Sequence, residues 1–410
     1  MSESATWDPA TQEPSQAAPL AVPKLGDRAL LPQLGARAYL NHAAISPTTA
    51  LVQQAVQTVL NSYAVEGAGA FARWVAQRET LRGDLACLVN ANVDEIALGF
   101  NTSRGVNDIA LCLPWKKGDR VLVFSGEFPT NVTPWQRAAE LFGLEICYHV
   151  SDDFFTDVGL ERLQTELRRG LRLVAVSAVQ FQTGLCMPLA EMGRLCHEHG
   201  AELFVDGIQA CGAVPIDVRA QNIDYLVSGS HKWLMGMEGT GFVFAAREKA
   251  RALRPNVAAW LSHEEPLGFL FEDEGKLRYD RAIRTDVSFL EGGTVNSMGF
   301  AALAASLRAL LELGVHNIFC HVNRYIDALE RELLSLGFVS LRAVGDRRST
   351  ILSVEPPAGV SAVSCAASMR QQGVVCGTPD GKLRFAPHYH NHLDEIALVA
   401  SAAKQSLSGK

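Results

Sequence analysis

The chain has 410 residues, of which 48% are apolar and 20% charged, so it can bury a large hydrophobic core. This length predicts two domains, or one large domain with an appendage. A formal net charge of −7 provides no basic surface, which argues against nucleic acid or an anionic membrane as a partner.

The nine cysteines are scattered and include no Cys-x-x-Cys pair. The chain has no apolar run approaching about 18 residues, and its N-terminus does not show a basic segment followed by an apolar one. This pattern predicts a protein of the reducing cytoplasm with no membrane contact.

The first elements in chain order predict an α/β fold. Residues 1–30 are rich in Ala, Pro, Ser, Gln and Glu without periodicity, which predicts a disordered lead-in. From Ala38 to about residue 250, short apolar runs alternate with helical patterns. Six runs predict strands, at 120–124, 145–150, 172–179, 202–206, 223–229 and 241–246. Unbroken apolar strands separated by amphipathic helices indicate a mainly parallel sheet with helices on both faces.

The pattern changes after residue 296. Two long helical patterns are followed by a strand, a helix, a second strand and a last helix. These elements predict a smaller α+β unit. We therefore predict a large domain over 47–295, and a small domain formed by 31–46 together with 296–410.

Two ionisable residues follow predicted strands. Asp206 ends the run at 202–206, and Lys232 comes shortly after the run at 223–229. The carboxyl ends of parallel strands meet at one edge of a sheet, where α/β proteins bind ligands. An amine and a carboxylate at this edge suit pyridoxal 5′-phosphate, which bonds to a lysine and pairs its ring nitrogen with an acid. A structural ion pair is the alternative.

A phosphate group would need hydrogen-bond donors at the same edge. Asn101, Thr102 and Ser103 stand at a predicted helix start, where free N–H groups and the helix dipole attract an anion. An ordinary helix cap would use the same residues. Further donors that follow predicted strands or glycines are Ser230, His231 and Thr294.

Six motifs carry a resemblance to a known family. They are "YLNHAAISP" (39–47), "NTSRGVN" (101–107), "VDGIQACG" (205–212), "SHKWLMG" (230–236), "GGTVN" (292–296) and "LRFAPHYHN" (383–391). Through them, residues 38–405 resemble the class V aminotransferase superfamily of pyridoxal-phosphate enzymes of fold type I. That group includes cysteine desulfurases, selenocysteine lyases, kynureninase and isopenicillin-N epimerase. The resemblance implies a homodimer with shared active sites.

The resemblance also implies a role for each matching residue. Lys232 and Asp206 would be catalytic, Lys232 as the Schiff-base lysine and Asp206 as the partner of the ring nitrogen, while Gln209 would hydrogen-bond the ring hydroxyl. The implied phosphate ligands are Thr102, Ser103, Ser230, His231 and, from the other subunit, Thr294. The implied substrate ligands are Asn131, His42 and Arg384. A guanidinium suits the substrate carboxylate, although Arg384 could instead be a surface charge on a strand.

Two departures from the desulfurase pattern bear on the reaction. Where desulfurases carry a histidine that stacks on the cofactor ring, "GEFPTNVTPW" (126–135) has Phe128, which can stack but cannot move a proton. Desulfurases also carry a nucleophilic cysteine on a loop before the carboxylate-binding arginine. Here "VVCGTPDGKLR" (374–384) is too short for that loop, and Cys376 is predicted to be a buried small hydrophobe.

Two histidine-rich segments suggest metal ligands, and we predict that neither binds a metal. "CHEHG" (196–200) lies near the end of a predicted helix, where the dipole favours histidine. "HYHNH" (388–392) overlaps the family's arginine motif.

These observations together predict a cytoplasmic, homodimeric pyridoxal-phosphate enzyme that acts on a small α-amino acid. Without the desulfurase cysteine, the first expectation is a β-lyase that breaks a C–S or C–Se bond. Transamination or epimerisation is the alternative, and a non-catalytic partner protein of the same fold is a more remote one. The intact set of Lys232, Asp206 and Arg384 argues against the last.

Overall fold

The computed structural model of the protein describes residues 21–271 and 274–407. Residues 1–20 of the predicted lead-in lie outside the described residues. Residues 21–30, by contrast, pack on the fold: the Gly26 N–H donates to the carbonyl of Tyr389 (2.6 Å), and Leu30 is 2% exposed. The predicted boundary at residue 30 is therefore wrong, because Leu30 and Leu31 enter the core despite their polar surroundings in sequence.

Within these described ranges the chain forms twelve strands and twelve α-helices. The strands are β1 (Ala38–Tyr39), β2 (Ile96–Gly99), β3 (Arg120–Ser125), β4 (Glu145–Val150), β5 (Leu173–Ser177), β6 (Glu202–Asp206), β7 (Tyr225–Gly229), β8 (Gly241–Ala245), β9 (Val339–Ser340), β10 (Leu352–Glu355), β11 (Val374–Val375) and β12 (Leu383–Phe385). The helices are α1 (Ala50–Glu66), α2 (Phe71–Val89), α3 (Thr102–Cys112), α4 (Thr133–Phe142), α5 (Val158–Arg168), α6 (Leu189–Glu198), α7 (Arg247–Ala252), α8 (Gly268–Phe271), α9 (Ser297–Leu313), α10 (Val315–Ser335), α11 (Ala362–Gln371) and α12 (Glu395–Ser406).

The centre of the molecule is a seven-stranded sheet with the order β2-β8-β7-β6-β5-β3-β4. Strands β3 to β7 run parallel to one another, whereas β8 runs antiparallel between β7 and β2. Every residue of β6, β7 and β8 is buried, as expected for apolar strands covered on both faces. The predicted α/β fold with a mainly parallel sheet is confirmed.

The parallel strands bring small and polar residues to their shared carboxyl edge. Ser177 at the end of β5 is the register partner of Asp206 at the end of β6. Asp206 in turn lies opposite Val227 of β7, two residues before that strand ends. The lysine loop that follows β7 therefore starts beside Asp206, and this edge positions the site described below.

The C-terminal part of the chain forms smaller sheets and four helices. Strands β12, β10 and β9 make a three-stranded antiparallel sheet, and β11 pairs in parallel with β1 near the N-terminus. That pairing ties the first segment to the C-terminal part. The division into a large domain (47–295) and a small domain (31–46 and 296–410) remains our interpretation.

Only Gly314 separates helices α9 and α10. Among the described residues, no single helix is long and apolar enough to cross a membrane, although α9 and α10, bent by 77° at their junction, pass that test of length and composition as a pair.

Candidate active site

A cavity of about 510 Å³ opens at the carboxyl edge of the central sheet. It brings together residues from several distant segments of the chain. Eight of the twelve residues predicted for the site line it: Thr102, Ser103, Phe128, Asp206, Gln209, His231, Lys232 and Arg384.

Lys232 lies in the loop after β7, and it lines the cavity. Burial lowers the pKa of Lys232 to about 8; Asp206 opposes this shift, and the Arg384 cation adds to it. The Nζ atom lies 5.7 Å from the centre of the Phe128 ring. A lysine with a lowered pKa is partly neutral near physiological pH, so it can act both as a nucleophile and as a proton carrier.

Asp206 is the acid of the cavity. It is 2% exposed, and burial raises its pKa to about 6, against the opposing effects of the Ile208 N–H and the Lys232 cation. The Ile208 N–H donates to Oδ1 at 2.9 Å. A buried carboxylate with so few donors favours an added cation, which is what a protonated pyridine nitrogen supplies.

The N-terminus of α3 forms the end of the cavity suited to an anion. Asn101 caps the helix by accepting from the Arg104 N–H (2.8 Å), and the Ser103 hydroxyl lies 2.7 Å from that of Thr130. Gly105 sets this helix close to the sheet, because a Cβ there would come within 2.9 Å of Val227. The dipole and free N–H groups of the 11-residue helix face the cavity, as a phosphate site requires.

Arg384 is buried, and no carboxylate pairs with it among the described residues. It is 5% exposed, its Nη1 donates to the carbonyl of Phe181 (2.7 Å), and its Nε has no hydrogen-bond partner. Burial lowers its pKa to about 10. The alternative of a surface charge is excluded, and the free donors of this guanidinium suit an incoming carboxylate.

Four predicted site residues lie outside the cavity. Ser230 is fully buried, and its hydroxyl donates to the Met237 carbonyl (2.5 Å). Asn131 is also fully buried and accepts from the Trp135 indole (3.2 Å). His42 is fully buried with both ring nitrogens hydrogen-bonded, so no atom of its ring is free for a substrate. Thr294 lines a separate cleft.

Sequence reasoning did not single out two residues that line the cavity, Thr130 and Phe181, or the buried acid Glu127, which lies outside the lining. Thr130 and Phe181 line the cavity, and the rings of Phe181 and Phe128 meet edge to face at 5.4 Å. Glu127 accepts from both the N–H (2.6 Å) and the hydroxyl of Ser177, and burial together with the Asp206 charge raises its pKa to about 7. Glu127 could have been found, because it follows the end of β3 as Lys232 follows β7.

Thiols are absent from the described residues that line the cavity. Cys376 is 5% exposed, and burial raises its pKa to about 12. A thiol in this state is a poor nucleophile at neutral pH. Within the described ranges, no group of three or more His, Cys, Asp and Glu side chains is arranged to hold a metal ion.

The cavity at the carboxyl edge of the mainly parallel sheet is surrounded by a lysine, a buried acid and a helix N-terminus. They are the features of a pyridoxal-phosphate-dependent enzyme of fold type I. The chain belongs to the class-V aminotransferase family, whose model matches residues 38–387.

Comparison with known proteins agrees with this family over nearly the whole chain. A probable cysteine desulfurase of Methanothermobacter thermautotrophicus is 28% identical over 401 residues, which cover 92% of this chain and 96% of the relative. The cystine C–S lyase C-DES, solved with its product cysteine persulfide, has a TM-score of 0.81 at 22% identity and covers 89% and 97%. A mutant of C-DES with glycine covalently linked to the cofactor has a TM-score of 0.83 at 22% identity and covers 92% and 99%. The predictions of the family, the enzyme and its cofactor are confirmed.

Proposed function

We propose that this protein is a β-lyase that breaks the Cβ–S or Cβ–Se bond of a small α-amino acid without forming a persulfide on the protein. One observation carries the proposal: the cavity combines Lys232 and Asp206 with an unpaired Arg384, yet no cysteine lines it among the described residues. The relatives named as a cysteine desulfurase and a cystine C–S lyase support the bond class.

The residues of the cavity divide into those that hold the cofactor and those that act on the substrate. Asp206 would pair with the ring nitrogen, Gln209 with the ring hydroxyl, and Phe128 would pack on the ring. Thr102, Ser103 and His231 would hold the phosphate with the N-terminus of α3. When bound, pyridoxal phosphate supplies the electron sink that makes a proton on the substrate Cα acidic.

The substrate steps fall to Arg384 and Lys232. Arg384 would bind the substrate carboxylate through its free N–H groups and so fix which Cα bond faces the lysine. The Lys232 amine would remove the Cα proton, and the Cβ–S electron pair would leave with the sulfur, as hydrosulfide from cysteine or as a free persulfide from cystine. Water then converts the remaining enamine to a keto acid and ammonia.

Two residues outside the cavity have other proposed roles. Ser230 would stabilise the lysine loop instead of binding phosphate directly, because its hydroxyl already donates to the Met237 carbonyl. Thr294 would reach a phosphate only in a second copy of the chain, since it lines a different cleft of its own subunit. We therefore keep the homodimer with shared sites, and the cytoplasmic location, as proposals.

The products of an amino-acid panel test the proposal. The enzyme loaded with cofactor is incubated with cysteine, cystine, selenocysteine and alanine. A lyase releases keto acid, ammonia and free sulfur or selenium product in equal amounts from the first three. Keto acid formed only when an amino-group acceptor is added would establish transamination instead, which the family's description favours as the alternative. Racemised amino acid with no keto acid would establish epimerisation.

A further inference from the structure

Three histidines are buried together behind the lysine loop. His42, His388 and His390 are each at most 1% exposed, and the rings of His388 and His390 lie 5.0 and 5.1 Å from that of His42. They come from two segments, 41–46 and 388–391, that are far apart in sequence. None of the three is among the described residues that line the cavity.

The hydrogen bonds that link His390, His42 and Ser46 to the Lys232 backbone all donate in one direction. The Ser46 hydroxyl lies 2.5 Å from the Lys232 carbonyl, which can only accept, so Ser46 donates its one proton there. His42 Nδ1, at 2.6 Å from the same hydroxyl, must then carry a proton and donate it. His42 Nε2 is left as an acceptor, and His390 Nε2 donates to it at 2.9 Å.

The neutral state of the rings agrees with this order. His390 Nδ1 is buried with no hydrogen-bond partner, as expected of an unprotonated nitrogen. Burial lowers the pKa of His388 to about 4 and that of His390 to about 3, and it holds the pKa of His42 well below its usual range. Each ring therefore has one donor and one acceptor nitrogen, and the chain of bonds has only one arrangement.

The same two segments hold three successive carbonyl groups of the lysine loop. The Ser46 N–H donates to the His231 carbonyl (2.8 Å), and the Ser46 hydroxyl donates to that of Lys232. His388 Nε2 donates to the carbonyl of Trp233 (2.9 Å), while its Nδ1 accepts from the Tyr389 N–H. The backbone on both sides of the lysine is thus fixed from outside its own loop.

We propose that Ser46, His42, His390 and His388 form a positioning relay that sets the Lys232 backbone so that its amine reaches the cofactor aldehyde. The inference rests on the proposed role of Lys232 as the attachment lysine. It also replaces the predicted role of His42 as a substrate ligand. A reactive amine must be held within a fraction of an ångström of its productive position, and a buried network in which every donor is paired provides that rigidity.

The test compares Ser46→Ala with Ser46→Thr, which restores the hydroxyl, and with His321→Gln as a matched control. His321 donates to the Asn391 carbonyl (2.9 Å) in the same region but has no part in the relay. Cofactor-free proteins are mixed with pyridoxal phosphate, and the rate of covalent attachment is followed by absorbance. Borohydride trapping and peptide mapping then give the fraction attached at Lys232, and thermal unfolding of the cofactor-free proteins reports stability.

We expect attachment to be about tenfold slower in Ser46→Ala, near normal in Ser46→Thr, and unchanged in His321→Gln. If Ser46→Ala fails to fold, His390→Leu, which is close to histidine in volume but removes the donor, is compared in the same way. A wild-type attachment rate in the folded relay variants would overturn the relay. Attachment of the cofactor to another lysine in the wild-type protein would overturn the proposed function itself, so the two failures are distinct.

Discussion

Buried charged side chains have ionic partners at the amino edge of the central sheet and lack them at the carboxyl edge. At the amino edge, Glu202 and Asp224 are 7% and 2% exposed, and each has cationic partners. Glu202 pairs with Arg172 (2.7 Å) and Lys249 (2.8 Å), and Asp224 pairs with His197 (3.0 Å). In these ion pairs the buried carboxylates are compensated by cations, and the pairs link neighbouring elements at this edge.

At the carboxyl edge the buried charges are left without such partners. Burial is the largest influence on the pKa values of Asp206, Lys232, Arg384 and Glu127, and each is shifted toward its neutral form. Strand β6 carries both situations, with Glu202 at its start and Asp206 at its end. Partnered buried charge therefore marks structure in this protein, whereas unpartnered buried charge marks the place for a ligand.

The comparison is tested most strongly by the two lysines. Replacing Lys232 with Ala should lower turnover by roughly 10³-fold or more, because the attachment amine and the proton carrier are lost together. Lys249→Ala, at the amino edge, should leave turnover within a few-fold and lower stability instead. Steady-state kinetics and urea unfolding measure the two effects. Equal losses of turnover in both variants would remove the distinction between the edges.

The acids provide the next test. Asp206→Asn should keep cofactor binding but lower the rate by about 10²-fold, since the amide cannot stabilise a positive ring nitrogen. Asp224→Asn should leave the rate unchanged and lower the free energy of unfolding by about 1 kcal/mol, because the charge that pairs with the partly exposed His197 and Lys249 is lost. A near-normal rate for Asp206→Asn would contradict the assigned role of the acid.

Arg384 should behave in the opposite way to a structural arginine. Arg384→Gln is expected to raise KM by roughly tenfold to a hundredfold, because a charged hydrogen bond to the substrate carboxylate is lost. The same change should leave the cofactor-free protein at least as stable, since an unpaired buried charge is removed. Arg172→Gln should do the reverse, with an unchanged KM and a lower urea midpoint.

The last expected effect is a dependence of stability on pH. The pKa of Lys232 is lowered to about 8 from 10.5, so between these values the unfolded chain binds more protons than the folded one. Stability of the cofactor-free protein should therefore rise with pH across that interval. The rise should be smaller in Lys232→Met and unchanged in Lys249→Met, as measured by urea midpoints from about pH 7.5 to 10. An equal rise in both variants would contradict the assignment to Lys232.

The fold could be predicted wherever the apolar pattern is local. The strands at 145–150 and 202–206 have the predicted ends, because each apolar run is bounded by polar residues or glycine. The strand predicted at 172–179 ends at Ser177, since the chain then turns and Ala178 donates its N–H to the Asp206 carbonyl (2.8 Å). Local pattern does not show where such a turn begins.

The site was predictable in part for the same reason. Asp206 and Lys232 follow strands, so the topology of a parallel sheet places them at one edge. The burial of His42 was not predictable, because its partner His390 is 348 residues away and comes from another part of the fold. Phe181 likewise joins the cavity through a loop whose course depends on contacts distant in sequence.

The most direct test of the central claim is a search for persulfide on the protein during turnover. Wild-type enzyme and Cys376→Ala are quenched with a thiol-alkylating reagent while turning over cysteine or cystine, and every cysteine peptide is mapped by mass spectrometry. Because Cys376 is buried and its pKa is raised to about 12, we expect no persulfide on Cys376 and similar release of free sulfur product by both proteins. A persulfide trapped on Cys376, together with loss of turnover in Cys376→Ala while the cofactor stays bound, would contradict the account and establish a desulfurase.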